Sequence, residues 1–439
     1  MQSLFAKQML TAEGWRQDVR VDIENGVITA ITPATIGAAQ YDLLLAGMPN
    51  IHSHAFQWAM GGLTEHRSGS NNDNFWSWRE VMYRFLERLT PEYIEIIAQA
   101  FYIELLKSGY TAIGEFHYLH HNAEGNPYDN PAELSERIIS AAQNSGIHLT
   151  LLPVLYQTSN FGGVPAMAGQ RRFLHSTDAF LRLMDKLSRY TSSNIILGAA
   201  PHSLRAVPAE ALAEIVKLSG PIHIHAAEQT KEVDDCLAWC GKRPVQWLLD
   251  NHDINERWCL IHSTHLSEAE ILALAKSGAV AGLCPSTEAN LGDGIFPAEA
   301  FLQAGGRFGI GSDSHITVNP FDELRLMEYA QRLQHRRRNV LCDEAIPSVG
   351  RNLYHRAVTG GRQALGINDR ADLVAIDCSA PLLQGKQGDA LLNSLIFATT
   401  QPKITDVYVA GNHVIKDGHH VLEEHSNAAL ADAMRELMA

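Results

Sequence analysis

His52 and His54 lie one residue apart in Gly47-Met-Pro-Asn-Ile-His-Ser-His-Ala-Phe-Gln57, at the end of an apolar run. On a β-strand, residues i and i+2 project to the same face, so the two imidazoles can converge on one metal ion. Three other short β-branched or apolar runs end in polar residues of the same kind. Pro221-Ile-His-Ile-His225-Ala-Ala-Glu228 offers a histidine with a carboxylate three residues later, Cys259-Leu-Ile-His262 a second histidine, and Phe308-Gly-Ile-Gly-Ser-Asp313 an aspartate. Imidazoles and carboxylates gathered around a divalent cation point to metal-assisted hydrolysis, because a bound cation acidifies water. Taken singly, each residue has a simpler explanation. A strand-end histidine is commonly a hydrogen-bonded structural group, Asp313 could cap a helix, and Glu228 could be an anion opening the next helix. Gly309-Ile-Gly-Ser-Asp-Ser lacks the third glycine and the early position of a dinucleotide-binding fingerprint. The joint occurrence at four strand ends is what points to a metal site.

For these residues to meet, the strands must lie side by side and end at one face. Between the two chain ends, β-branched runs alternate with helix-like stretches, the pattern of parallel strands joined by crossover helices. Strand cores are expected at 43–51, 111–115, 147–155, 195–199, 221–225, 259–262, 280–284 and 306–311. That count predicts an α/β fold, a (β/α)8 TIM-type barrel over residues 47–368, with its chemistry at the C-terminal ends of the strands. The ends of the chain have a different texture. Val19-Arg-Val-Asp-Ile, Glu24-Asn-Gly26 and Val27-Ile-Thr-Ala-Ile predict a hairpin, and strands recur at Asp372–Asp377 and on either side of Gly411-Asn412. Residues 1–46 and 369–439 are therefore expected to form a small β-sandwich domain with a C-terminal helix.

The 439 residues carry a formal charge of −14, which repels nucleic acid and anionic membrane surfaces. An acidic substrate then needs locally placed cations. No basic-then-apolar leader opens the chain and no apolar run is long enough to span a bilayer, so a soluble, cytoplasmic protein is expected. The six cysteines are scattered, with Cys236 and Cys240 the closest pair, and are expected to be reduced and mostly buried.

These motifs resemble the amidohydrolase superfamily, whose barrel carries HxH on its first strand, histidines on the fifth and sixth, and an aspartate on the eighth. The resemblance spans nearly the whole chain. Two-metal members usually have a bridging lysine at the end of strand four; Ile195-Ile-Leu-Gly-Ala-Ala-Pro-His202 has none. His225-Ala-Ala-Glu228 instead is similar to the one-metal branch that deaminates amino- or imino-carbon centres. Three stretches narrow the resemblance to members that convert N-formimino-L-glutamate and water to N-formyl-L-glutamate and ammonia. They are His52-Ser-His-Ala-Phe-Gln57, Gly114-Glu-Phe-His-Tyr-Leu-His-His121 and Cys284-Pro-Ser-Thr-Glu-Ala-Asn-Leu-Gly-Asp-Gly-Ile-Phe-Pro297.

What the resemblance implies is specific. His52, His54, His225 and Asp313 hold one divalent ion per subunit, zinc being favoured by the nitrogen-rich donor set. Glu228 shuttles protons, His262 helps deprotonate water or stabilises an oxyanion, and Asp313 can also take a proton. Arg79 and Arg205 are the candidate clamps for two substrate carboxylates, since guanidinium matches carboxylate bidentately. Gln57, Tyr118 and His202 are implied as hydrogen-bonding partners, and a homodimer as the assembly. Trp58 departs from the pattern, standing where an arginine is expected. His117, His120, His121, His265 and His315 are expected to pack or support rather than to ligate. Glu288 and Asp293 would orient the loop after strand seven. Phe56, Trp58 and Trp76, as stacking residues, keep open an aminohydrolase of a heteroaromatic amine such as guanine. A non-catalytic scaffold on the same fold is the remaining alternative.

Overall fold

Eight short apolar runs form the parallel strands of a barrel in the computed structural model, which describes residues 2–35, 39–67 and 73–439. They are β1 (Met48–Ser53), β2 (Tyr110–His117), β3 (His148–Leu155), an interrupted β4 (Ile195–Leu197, then Ala200–Pro201), β5 (Ile222–Ala226), β6 (Trp258–His262), β7 (Val280–Leu283) and β8 (Arg307–Ile310). Their hydrogen-bonded order runs β4-β3-β2-β1-β8-β7-β6-β5. Bridges from Ala199 to Ile222 and from Ser203 to His225 join β4 to β5 and close the ring. That seam is short. Ala199 N–H donates to the Pro221 carbonyl at 2.9 Å, His223 N–H to the Ala199 carbonyl at 3.1 Å and His225 N–H to the His202 carbonyl at 3.0 Å.

The run expected as one strand over 43–51 is two strands. Tyr41–Ala46 belongs to the small sheet and Met48–Ser53 is β1. The chain changes sheets at Gly47, where a Cβ would lie 2.2 Å from Thr111 Cγ2, so only glycine lets β1 turn in against β2. β4 is broken for a similar reason: a Cβ on Gly198 would meet the Pro221 carbonyl oxygen and Leu152 Cδ2, both at 2.7 Å.

Helices cover the outside. Pro91–Ser108 shows how sequence sets their limits: Thr90 accepts the Tyr93 N–H as N-cap, Pro91 fills the first turn, and Gly109 ends the helix at φ 100°. Val349–Ala364 lies on β8 and β1, and at its C-terminal end Ala364, Leu365 and Ile367 join Ile51, Ala112, Cys259, Ile261 and Val280 in one buried cluster. Thr150 Oγ1 donates to the Leu365 carbonyl at 2.9 Å, and His223 Nε2 lies 2.8 Å from the Ala364 carbonyl. The barrel interior is thus plugged at the end away from the candidate site.

Both chain ends build the second unit. Seven strands follow the order Asn412–Ile415, Lys403–Val409, Leu373–Asp377, Tyr41–Ala46, Gln2–Thr11, Gly14–Glu24, Val27–Pro33, with a core of their own that includes Leu4, Val21, Leu44 and Tyr408. The expected Gly26 and Gly411 turns fall between antiparallel neighbours. The C-terminal helix Glu423–Met438 returns to Pro91–Ser108, where Gln99 Nε2 donates to Ser426 Oγ at 2.7 Å. All six cysteines are free, but only Cys236, Cys259 and Cys284 are buried and the other three are half-buried, fewer than expected. Among the described residues no helix is long and apolar enough to cross a membrane.

Candidate active site

The C-terminal ends of the barrel strands hold the chemistry in place largely through backbone. Asp313 N–H donates to the His52 carbonyl at 3.0 Å, and His54 N–H donates to the Asp313 carbonyl at 3.3 Å, so the aspartate is threaded between the two histidines of β1. Asn50 locks the same junction: its Nδ2 donates to Ser312 Oγ at 2.6 Å, and its Oδ1 accepts the Ser312 N–H at 3.1 Å. Glu115, at the end of β2, accepts from Ser53 Oγ at 2.7 Å and from Ala55 N–H at 2.8 Å. It therefore fixes the residues on either side of His54. Ala227, His262, Ser263, Asp313 and His315 all adopt positive φ between 45° and 66°. Left-handed backbone costs a non-glycine residue about 1–2 kcal/mol, and its concentration here marks strand ends bent to aim side chains inward.

The donor set follows from hydrogen bonds on the outer sides of the rings. His54 Nδ1 lies 2.9 Å from the Phe116 carbonyl and His225 Nδ1 lies 3.0 Å from the His202 carbonyl. Each Nδ1 must donate, so each Nε2 is left as a lone pair facing the centre. His54 Nε2 is 3.3 Å from Asp313 Oδ1, His225 Nε2 is 3.1 Å from His52 Nε2, and His52 Nε2 is 3.6 Å from Asp313 Oδ1. Burial lowers the pKa of all three histidines, to about 3 for His54, and keeps them neutral. Of the three, only His52 can bring a proton to the centre, and its own buried Nδ1 then has no partner. Converging lone pairs with a carboxylate and almost no donors fit a divalent cation. Burial raises Asp313 to about 7, with His262 opposing the shift.

His262 behaves oppositely. Its Nε2 is 3.7 Å from both Glu228 Oε1 and Asp313 Oδ2, and its Nδ1 is 3.3 Å from Glu288 Oε1. Burial alone would lower its pKa, but these carboxylates outweigh it and raise the group to about 10. Neutral and protonated imidazoles thus lie side by side at the strand ends. Glu288 also accepts the Cys284 N–H at 2.9 Å, which orients the loop after β7.

One pocket collects nearly every residue singled out from the sequence: His54, Gln57, Arg79, Tyr118, His202, Arg205, His225, Glu228, His262 and Asp313 line it, with His52 fully buried behind. Gln57 Nε2 donates to Tyr118 Oη at 2.7 Å. Arg205 is buried, with Nη2 4.0 Å from Glu228 Oε2 and Nε 3.9 Å from Glu232 Oε2. Burial opposes its charge, but Glu232 and Glu228 outweigh it and the pKa is raised. Phe56, Trp58 and Trp76 do not line the pocket; Trp58 lies 5.5 Å from Phe101 among core residues. His120, His121 and His265 place Nε2 against the carbonyls of Val154, Leu174 and Asp293. His315 bonds Ser312 Oγ at 2.9 Å. Sequence reasoning missed Glu115 and Glu232. Glu232, one helical turn after Glu228, accepts the N–H groups of Ala227 and Glu228 at 3.1 and 3.2 Å; that i, i+4 spacing was the available signal.

A closed parallel barrel with this cluster at its strand ends defines a metal-dependent hydrolase fold, and the chain belongs to the amidohydrolase family, whose profile matches residues 43–414. Residues 1–40 match a second profile, that of the N-terminal domain of formimidoylglutamate deiminase HutF. A formimidoylglutamate deiminase of Pseudomonas aeruginosa is 51% identical over 453 residues, covering 100% of both chains. A 5-methylthioadenosine/S-adenosylhomocysteine deaminase of Natronomonas pharaonis is 26% identical, covering 91% of this chain and 88% of its own. The crystal structure of an amidohydrolase from Brucella melitensis superposes with a TM-score of 0.95 at 46% identity, covering all of both chains. A zinc-bound adenosine deaminase of Xanthomonas campestris, at 23% identity, TM-score 0.80 and 99% and 97% coverage, shares the fold.

Proposed function

We propose that this protein is a formimidoylglutamate deiminase, hydrolysing N-formimino-L-glutamate to N-formyl-L-glutamate and ammonia in histidine degradation. The carrying observation is that one pocket holds a metal-type donor cluster, a buried glutamate beside it and two arginines. The full-length relative at 51% identity agrees. His52, His54, His225 and Asp313 hold one divalent cation, most readily zinc for this donor set. When bound, such an ion lowers the pKa of water to about 7 and supplies a nucleophile near neutral pH.

The chain's own groups do the rest. Arg79 and Arg205 take the two substrate carboxylates and set the formimino carbon at the mouth of the donor cluster. Glu228 carries both protons of the attacking water in turn to the formimino nitrogen, the first as the C–O bond forms and the second as the C–N bond breaks, so that the tetrahedral carbon expels ammonia and the carbonyl is left. Imidazolium His262 donates toward the developing oxyanion, and Asp313 holds a proton in transit. Gln57, Tyr118 and His202 orient the bound substrate. Residues 47–368 make up the catalytic barrel, and residues 1–46 with 369–439 the β-sandwich domain. A cytoplasmic homodimer without nucleic-acid or membrane partners suits the acidic chain.

An ammonia-release assay with N-formimino-L-glutamate and guanine tests the substrate. Turnover of formiminoglutamate alone is expected; turnover of guanine alone would replace this reading by a heteroaromatic deaminase, which the Phe75, Trp78 and Tyr156 walls of the pocket could serve. Glu228→Gln should lower kcat by about 100-fold or more while elemental analysis still finds one metal per chain. Near-normal kcat would remove Glu228 from the proton path.

A further inference from the structure

Arg79 and Arg205 come from different elements, the helix Phe75–Leu86 and the segment after β4, yet both guanidinium groups face one indole. Arg79 Cζ lies 4.5 Å and Arg205 Cζ 5.8 Å from the centre of the Trp76 ring. Among the described residues neither guanidinium makes a hydrogen bond to the protein, and Arg205 Nε is buried without a partner. Among the described residues the aromatic rings beneath Arg79 are Trp76 and, at 5.6 Å, Tyr83. Glu228 and Glu232, at 4.0 and 3.9 Å, offset the charge of Arg205 without hydrogen-bonding it, and Trp76 is the group that both guanidinium groups share: the negative face of its ring attracts each cation while leaving its N–H donors free. A carboxylate hydrogen-bonded to them in the ring's place would have consumed those donors. Trp76 is itself fixed: Asn74 caps the helix by accepting the Trp76 N–H at 2.9 Å, and Ser77 completes a capping box.

We propose that Trp76 is the positioning residue for both carboxylate clamps, a shared aromatic platform that sets the separation of Arg79 and Arg205 and so makes the enzyme read two carboxylates together. The inference rests on the substrate proposed above. It also reassigns Trp76, which on sequence alone could stack on a heterocyclic substrate: its ring is already committed to the two arginines and lies outside the pocket lining.

The test compares Trp76→Leu, Trp76→Gln and Trp76→Phe on N-formimino-L-glutamate and its side-chain carboxamide, N-formimino-L-glutamine. The Leu and Gln variants should raise KM for the dicarboxylate about tenfold or more with kcat within about threefold. Their preference for dicarboxylate over monocarboxylate, as a ratio of kcat/KM, should collapse, while Trp76→Phe restores most of it. A merely structural tryptophan would lower both substrates equally and leave the ratio unchanged, which overturns the proposal. Calorimetric titration of the metal-loaded protein with glutarate and butyrate separates this from the substrate assignment. Tighter binding of glutarate by the unmodified protein, lost in Trp76→Leu, supports the platform even if formiminoglutamate is not turned over. Equal loss for both acids rejects it.

Discussion

Glu323 is fully buried at the start of Pro320–His335 and accepts both the N–H and the hydroxyl of Ser286, so it anchors the turn that carries Thr287 and Glu288 to the site. Burial raises its pKa from 4.5 to about 8, against the lowering effect of those donors. A carboxyl whose folded-state pKa is raised contributes stability that is complete below its unfolded pKa and lost as pH rises through the folded value. The melting-temperature advantage of the protein over Glu323→Gln should therefore shrink between about pH 5 and pH 9; a constant difference across that range would show that Glu323 does not titrate there. Residues differ in how far their sequence reveals such roles. That His52, His54, His225, His262, Asp313 and Glu228 would gather in one place was legible because all end apolar runs and are of the few types that ligate metals or move protons. Glu115, Glu232 and Glu323 were not, because a carboxylate acquires its role from the N–H groups that chain folding brings to it. Trp58 shows the converse. It breaks the expected arginine pattern, yet it packs against Phe101 and lies outside the pocket lining.

Helix Val349–Ala364 rests on β8 through glycine. A Cβ on Gly360 would sit 1.9 Å from the Phe308 carbonyl oxygen and 2.6 Å from its carbon, backbone atoms that cannot swing aside. Gly361 meets Pro49 of β1 at 3.0 Å in the same way. Gly360→Ala should accordingly cost about 3 kcal/mol, the upper range for overpacking, seen as a lower urea midpoint with an unchanged slope. A midpoint within error of the parent would mean that the helix shifts freely on the strand. At this scale the sequence showed that strands and helices alternate and roughly where, because most barrel strands are short, largely apolar runs. It did not show the breaks at Gly47 and Gly198, which answer to Thr111 and to Pro221, residues distant in sequence. It also left the partner order of the small sheet open, since pairing of residues 373–377 with 41–46 joins segments more than 300 positions apart and no local pattern encodes it.

The whole molecule folds around a centre rich in lone pairs. A cation that binds there only in the folded state stabilises the fold by mass action. Stripping the metal with a chelator should lower Tm by roughly 5 °C or more, with zinc restoring both Tm and turnover. An unchanged Tm would place the metal elsewhere or remove it from the protein. Cooperativity across the barrel is uneven, however. β2 and β3 share a six-residue register, whereas two joints are narrow: β8 meets β1 at Ile310 and Asn50 and through an isolated Ser53–Asp313 bridge, and β4 meets β5 through two isolated bridges. His225 hangs on the joint between β4 and β5, its backbone N–H and its Nδ1 both directed to the His202 carbonyl. Brief parting of β4 from β5 would loosen one imidazole of the centre while every strand keeps a partner, so activity should be lost on warming before the fold is. The working temperature limit would then be set by a narrow joint in the barrel wall rather than by the strength of its core.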